Sequence, residues 1–193
     1  IKSKNIYLKL STWLKVKPEN IFISDGADGG LLRIFNVFAD KGDKVLALEP
    51  SFAMYPVYCQ MFKAKYLPFK LRISKDFNYF TELKKKIIKD RPKIIALANP
   101  NQPLEAMLKI SEVKMILKLA KKIKSIVVID EAYAHFNQVN TVPLIRDYNN
   151  LIVVRTFSKA FGLAGARIGY TVANKNLISL LQSIKPIYEV NGV

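Results

Sequence analysis

The sequence predicts an α/β domain of three layers, α-β-α, around a mostly parallel central sheet. Three observations carry this expectation. Short β-branched runs alternate with helical stretches: Ile21 to Ile23, Val45 to Leu48, Ile94 to Ala98, Ile126 to Ile129, Leu151 to Val154 and Gly169 to Val172. The central runs are apolar throughout, as strands covered on both faces are. The stretches between them place apolar residues at the three, four, seven spacing of a helix with one buried face.

Taken in order, Ile1 to Lys15 reads as a helix, and Gly29 to Phe38 forms the next one after a turn of small residues. Met54 to Lys63 and Phe80 to Asp90 come next. Ser111 to Lys124 is the clearest helix, with Val113, Ile116, Leu117, Ala120 and Ile123 on one face and Ser111 as the expected N-cap. Lys185-Pro186 is expected to break the last helix. There is no internal repeat or low-complexity linker, and the hydrophobic pattern runs on from Asn20 to Val172, so residues 1–193 read as one domain.

The chain has 193 residues, half of them hydrophobic, which excludes a disordered chain. Lys and Arg number 31 against 15 Asp and Glu, a net charge of +16. The lysines crowd into Lys84, Lys85, Lys86 and Lys89 and into Lys114, Lys118, Lys121, Lys122 and Lys124, on the outer faces of helical patterns. No aromatic residues interleave with them to stack bases. A solvated face is therefore expected, with no nucleic-acid partner. The apolar runs are far shorter than the roughly 20 residues that span a bilayer, so no membrane partner is expected either. The single cysteine, Cys59, forms no internal disulfide and fits a reducing compartment, with cytoplasm as the expected location. No metal-ligating set is singled out.

In open α/β sheets, ligands bind beyond the carboxyl ends of the strands. The residues immediately after each run are therefore informative. Ile23 leads into Ser24-Asp25-Gly26-Ala27-Asp28-Gly29-Gly30, and Leu48 into Glu49-Pro50-Ser51-Phe52. Ala98 leads into Asn99-Pro100-Asn101-Gln102-Pro103, Ile129 into Asp130-Glu131-Ala132-Tyr133, and Val154 into Arg155-Thr156-Phe157-Ser158-Lys159. Singly, each is an ordinary cap or loop. Together, a helix N-terminus fit for an anion, an aspartate ending a central strand, a nearby tyrosine and a Thr-x-Ser-Lys describe a site for a phosphorylated cofactor held by lysine.

Asp130-Glu131-Ala132-Tyr133 and the run Arg155 to Tyr170 closely resemble the pyridoxal-phosphate-dependent histidinol-phosphate aminotransferase family, of fold type I. Gly26-Ala27-Asp28, Lys41 to Val45, Glu49 to Tyr55 and Asn149 to Val154 match it in order. The resemblance implies pyridoxal 5′-phosphate as cofactor and an aminotransferase passing an amino group between a small phosphorylated amine or amino acid and 2-oxoglutarate or glutamate. It also implies a homodimer. By the same resemblance, Lys159 forms a Schiff base with the cofactor aldehyde and then serves as general base. Asp130 pairs with the ring nitrogen, Tyr133 with the ring hydroxyl, and Phe52 lies over the ring face. The backbone amides of Ala27 and Asp28, with Thr156, Ser158 and Arg167, seat the phosphate.

Three features depart from the family pattern. Its Asn-Pro-Asn-Asn-Pro-Thr-Gly loop reads Asn99-Pro100-Asn101-Gln102-Pro103-Leu104-Glu105, which puts the cofactor-contacting amide on Gln102. His135 stands where Glu is common. The family's N-terminal arm and small C-terminal domain have no counterpart here, so the chain is expected to be the large domain of a longer one. Two other readings stand beside the leading one: a decarboxylase of phosphoserine or phosphothreonine on the same fold, and a binding module without catalysis. Intact Lys159, Asp130, Tyr133 and Arg167 speak against the second.

Overall fold

The structure, a computed structural model, describes residues 3–72, 74, 77–137 and 139–184. Seven strands form one sheet: β1 (Ile21–Asp25), β2 (Lys44–Glu49), β3 (Lys65–Lys70), β4 (Ile94–Ala98), β5 (Ile126–Asp130), β6 (Leu151–Thr156) and β7 (Ile168–Ala173). Their order is β1-β7-β6-β5-β4-β2-β3. Pairing is parallel from β3 through β6, and β7 alone runs against both its neighbours.

Residue alternation along the central strands builds two cores, one on each face. Ile95, Leu97, Val127, Ile129, Leu151 and Val153 face one way, and Ile94, Ala96, Val128, Ile152 and Val154 the other. Helices α1 (Ser3–Leu14), α4 (Tyr79–Asp90) and α5 (Ile110–Lys122) cover the first face through Leu10, Leu83, Ile87, Val113, Ile116, Leu117 and Ala120. Helices α2 (Gly26–Phe38), α3 (Met54–Met61) and α6 (Lys175–Gln182) cover the second through Leu31, Ile34, Phe35, Tyr55, Tyr58, Ile178 and Leu181. This is the three-layer α-β-α domain that the sequence predicts. Lys114, Lys118, Lys121, Lys122 and Lys124 lie on the exposed side.

Several local expectations are corrected. Helix α5 begins one residue before Ser111, and its N-cap is Lys109, whose N–H donates to Glu112 Oε2 at 2.8 Å. A glutamate reaching back over the first turn replaces the serine cap. Helix α2 starts at Gly26, three residues earlier than the pattern suggests, because Gly26 takes φ +70° and turns the chain directly out of β1. Helix α3 ends at Met61, before Lys63, which has a positive φ. Strand β3 has no counterpart among the runs expected from sequence. The expected break at Lys185-Pro186 lies outside the described residues.

Among the described residues no helix is long and apolar enough to cross a membrane. None of their His, Cys, Asp and Glu side chains form a group of three or more that could hold a metal ion. Cys59 is a buried free thiol, and burial pushes its pKa up to about 11.

Candidate active site

The carboxyl ends of β1, β4, β5 and β6 open onto one cavity of about 570 Å³. All ten residues singled out in the sequence line it: Ala27, Asp28, Phe52, Gln102, Asp130, Tyr133, Thr156, Ser158, Lys159 and Arg167. A cavity of about 770 Å³ lies at the end of the sheet where β1 begins, among Lys15, Lys17, Arg146 and Lys175. Its hydroxyls, Ser11 and Thr12, both donate to Leu8 O, and its one acid, Glu19, is exposed.

Asp130 forms the floor. It ends β5, is 6% exposed, and accepts a hydrogen bond from Ala132 N at 3.0 Å on Oδ1 and from the Tyr55 hydroxyl at 3.2 Å on Oδ2. Burial pushes its pKa up to about 6, opposed by these two donors. The acid is held in place yet retains acceptor capacity toward the cavity. Tyr133 and Lys159 stand nearby on the loops after β5 and β6, with Lys159 Nζ 5.4 Å from the centre of the Tyr133 ring. Phe52 sits edge-on to Tyr55, ring centres 5.7 Å apart, and presents an apolar face to the same cavity.

At the other end lies the first turn of α2, whose N–H groups a helix cannot satisfy internally. Its N-cap residue, Asp25, makes no side-chain capping bond. Gly26 N donates to Arg167 O at 3.1 Å, which ties this turn to the start of β7. The approach requires glycine at 169: a Cβ there would lie 2.2 Å from Gly26 C and 2.5 Å from Ala27 N. Ser158 N donates to Thr156 Oγ1 at 3.1 Å, and the two hydroxyls lie 3.0 Å apart, so the Thr-x-Ser turn is preorganised. The Arg167 guanidinium, half exposed, has Nε 3.6 Å from Asp25 Oδ1. A helix N-terminus, two hydroxyls and a guanidinium are groups whose chemistry suits an anion such as phosphate.

Sequence reasoning missed the residues behind this front. Tyr55 and Tyr58, one helical turn apart on α3, are buried and hold the two acids of the cavity: Tyr55 donates to Asp130, and Tyr58 donates to the Asp28 carboxylate in a short hydrogen bond. Burial raises both phenol pKa values, so both remain donors. The i, i+3 spacing of two tyrosines within an apolar helix was the available signal. Glu131 and Arg155 were read only as parts of motifs, yet they form a buried ion pair, Oε2 to Nη2 2.6 Å.

Two of the three departures from pattern also find places. Gln102 lies exposed at the cavity rim. Its loop is pinned by Asn99, which pairs with Leu108 through N–H and C=O, and by Asn101, whose Nδ2 donates to Pro50 O at 3.0 Å and Leu104 O at 3.1 Å. His135 does not line the cavity. It stacks on Trp13, ring centres 5.5 Å apart, and meets Phe161 edge-on at 4.9 Å.

The family described as aminotransferase class I and II matches residues 5–190. A histidinol-phosphate aminotransferase of Thermoanaerobacter pseudethanolicus is 42% identical over 96% of this chain and 52% of its own length. The chain thus spans about half the length of the curated relatives it matches. The fold is that of the Sinorhizobium meliloti histidinol-phosphate aminotransferase crystallised with pyridoxal-5′-phosphate, with a TM-score of 0.81 and 24% identity over 94% of this chain and 50% of that one. The L-threonine-O-3-phosphate decarboxylase of Porphyromonas gingivalis is equally similar, with a TM-score of 0.81 and 25% identity over 97% and 57%. With its mostly parallel sheet, its cavity at the strand ends and this family match over nearly its whole length, the chain belongs to the class I and II aminotransferases.

Proposed function

We propose that this chain forms the cofactor-binding part of a pyridoxal-phosphate-dependent aminotransferase that exchanges an amino group between a small phosphorylated amine or amino acid and 2-oxoglutarate or glutamate. The observation that carries the reading is the shared cavity of Lys159, Asp130, Tyr133 and the α2 N-terminus. The donor set suits the group: a buried acid for a ring nitrogen, an amine for an aldehyde, and a phosphate seat at the far end.

When bound, pyridoxal phosphate supplies an electron sink for the negative charge that develops on the substrate Cα. The chain's residues do the rest. Asp130, as a carboxylate, would accept a hydrogen bond from the ring N–H, and Tyr133 would donate one to the ring oxygen. Phe52 covers one ring face and excludes water. Ala27 N, Asp28 N, Thr156, Ser158 and Arg167 would hold the phosphate at the end of the cavity away from Asp130. The Lys159 amine would act as the general base, holding and passing on the proton taken from the substrate Cα. Gln102, exposed at the rim, would offer its amide to the ring oxygen.

A second reading has support in the Porphyromonas gingivalis decarboxylase, which is as similar in fold as the aminotransferase. The same Lys159 and Asp130 would serve loss of a carboxylate from phosphoserine or phosphothreonine. A two-fold homodimer and a cytoplasmic location complete the proposal; light scattering of the full chain tests the first and fractionation the second.

The absorbance spectrum of the full chain with pyridoxal phosphate, beside Lys159→Ala, tests the function. A Lys159-dependent band that glutamate converts to the amine form supports the aminotransferase. A band that glutamate leaves unchanged, with carbon dioxide released from phosphothreonine, supports the decarboxylase. No Lys159-dependent band refutes both.

A further inference from the structure

Asp130 and Glu131 are consecutive acids, and both are buried, at 6% and 0% exposure. Only the first lines the cavity. Glu131 is fully engaged away from it. Its Oε2 accepts from Arg155 Nε at 2.8 Å, and its Oε1 accepts from Thr141 N at 2.7 Å and Thr141 Oγ1 at 2.5 Å. Arg155 Nη2 lies 2.6 Å from Glu131 Oε2 and donates to Asn140 Oδ1 at 2.9 Å. Glu131 N donates to Val154 O at 2.8 Å, which locks the ends of β5 and β6 together beside the pair.

A buried ion pair is weak grounds for stability, because desolvation offsets much of the attraction. Its charge, however, acts on what lies next to it. Two adjacent carboxylates in a low-dielectric interior oppose each other's ionisation. We propose that Arg155 acts on Asp130 through Glu131: by neutralising the Glu131 carboxylate, it lets Asp130 remain a charged acceptor on the cavity floor. Arg155 and Glu131 are thus positioning residues that form a neutral strut and touch no ligand. The inference rests on the reading of Asp130 as partner of the cofactor ring nitrogen.

Other groups bear on Asp130. Tyr55 from α3 donates to it, with Tyr58 close behind, and Asp28 from α2 opposes its ionisation. Tyr133, Lys159 and Arg167 share its cavity. Tyr170 from β7 faces both Arg155 and Glu131, and His135 from the loop after β5 faces Arg155. Neither lines the cavity, and the double variant restores the charge balance they see.

The test compares wild type, Glu131→Gln, Arg155→Gln and the double variant in the full chain. The readouts are the pH midpoint of pyridoxal phosphate retention and, without cofactor, the titration of the 13C-labelled Asp130 carboxyl by NMR. Glu131→Gln keeps the shape and leaves the guanidinium uncompensated, so the Asp130 midpoint falls by about one pH unit. Arg155→Gln leaves the carboxylate uncompensated, so the midpoint rises by a similar amount. The double variant, neutral again, returns to within a few tenths of wild type. A strut that only supports the fold gives shifts of the same sign in both single variants and their sum in the double, and that result overturns the proposal. Should Arg155→Gln fail to fold, Glu131→Gln and the double variant decide, an unchanged or raised midpoint in Glu131→Gln being the contrary result. If the wild-type chain retains no pyridoxal phosphate, the cofactor reading fails, and the NMR titration still decides the strut.

Discussion

The hydroxyl of Tyr55 lies 3.2 Å from Asp130 Oδ2, wholly inside the protein, and joins the base of α3 to the end of β5. The bond favours the charged form of an acid that burial drives toward neutrality. Tyr55→Phe removes this donor and leaves the ring in place. The Asp130 midpoint then rises from about 6 by about one further unit. Pyridoxal phosphate retention is expected to fall several-fold near pH 6.5 and to recover near pH 8.5, as equilibrium dialysis across that range will show.

The same acid costs the cofactor-free protein stability. Its pKa of about 6 exceeds the ordinary 3.8, so between those values the folded state binds more protons than the unfolded state. Stability from this group therefore falls as pH rises from about 4 to about 6 and stays low above that. Asp130→Asn is expected to stabilise the cofactor-free chain by about 2 to 3 kcal/mol at pH 7.5 and hardly at all at pH 4. Urea unfolding at the two pH values measures the difference.

The contact between β7 and the first turn of α2 admits no side chain at residue 169. Gly169→Ala places a methyl 2.2 Å from Gly26 C and forces the backbone of the first turn of α2 to move. A loss of about 3 kcal/mol or more is expected in denaturant unfolding. Gly165→Ala, whose added carbon meets nothing within 4 Å, serves as the control and stays within about 0.5 kcal/mol of wild type.

Arg167 tests the phosphate seat directly. Arg167→Ala is expected to weaken pyridoxal phosphate about 30-fold, the loss of a charge-assisted hydrogen bond worth about 2 kcal/mol. Pyridoxal, which lacks the phosphate, should bind wild type and variant alike. Titration calorimetry with both compounds separates a lost phosphate contact from a general disturbance.

Most of the fold was legible because the central strands are unbroken apolar runs and the helices keep their period. Strand β3 was not, since Lys65-Tyr66-Leu67-Pro68-Phe69-Lys70 carries a proline and lies at the sheet edge, where half-buried residues blur the pattern. The reversed direction of β7 has no local signature, because a strand reads the same either way. Most cavity residues were legible because they come after a strand at the rim where ligands bind, whereas Arg167, just before β7, was reached only through the family resemblance. Tyr55, Tyr58, Glu131 and Arg155 were not assigned, because their roles rest on partners 24 to 75 residues away in sequence. His135 illustrates the converse: a lone histidine beside a site motif belongs to an aromatic cluster with Trp13 and Phe161 outside the cavity.

The central claim is that Lys159 is the lysine the cavity is built around. Borohydride reduction of the full chain after incubation with pyridoxal phosphate, then peptide mass mapping, tests it most directly. The account predicts modification at Lys159 with stoichiometry near one, and none above background at exposed lysines such as Lys114 and Lys118. Label spread over the surface lysines, or a Lys159 peptide left unmodified, would contradict it.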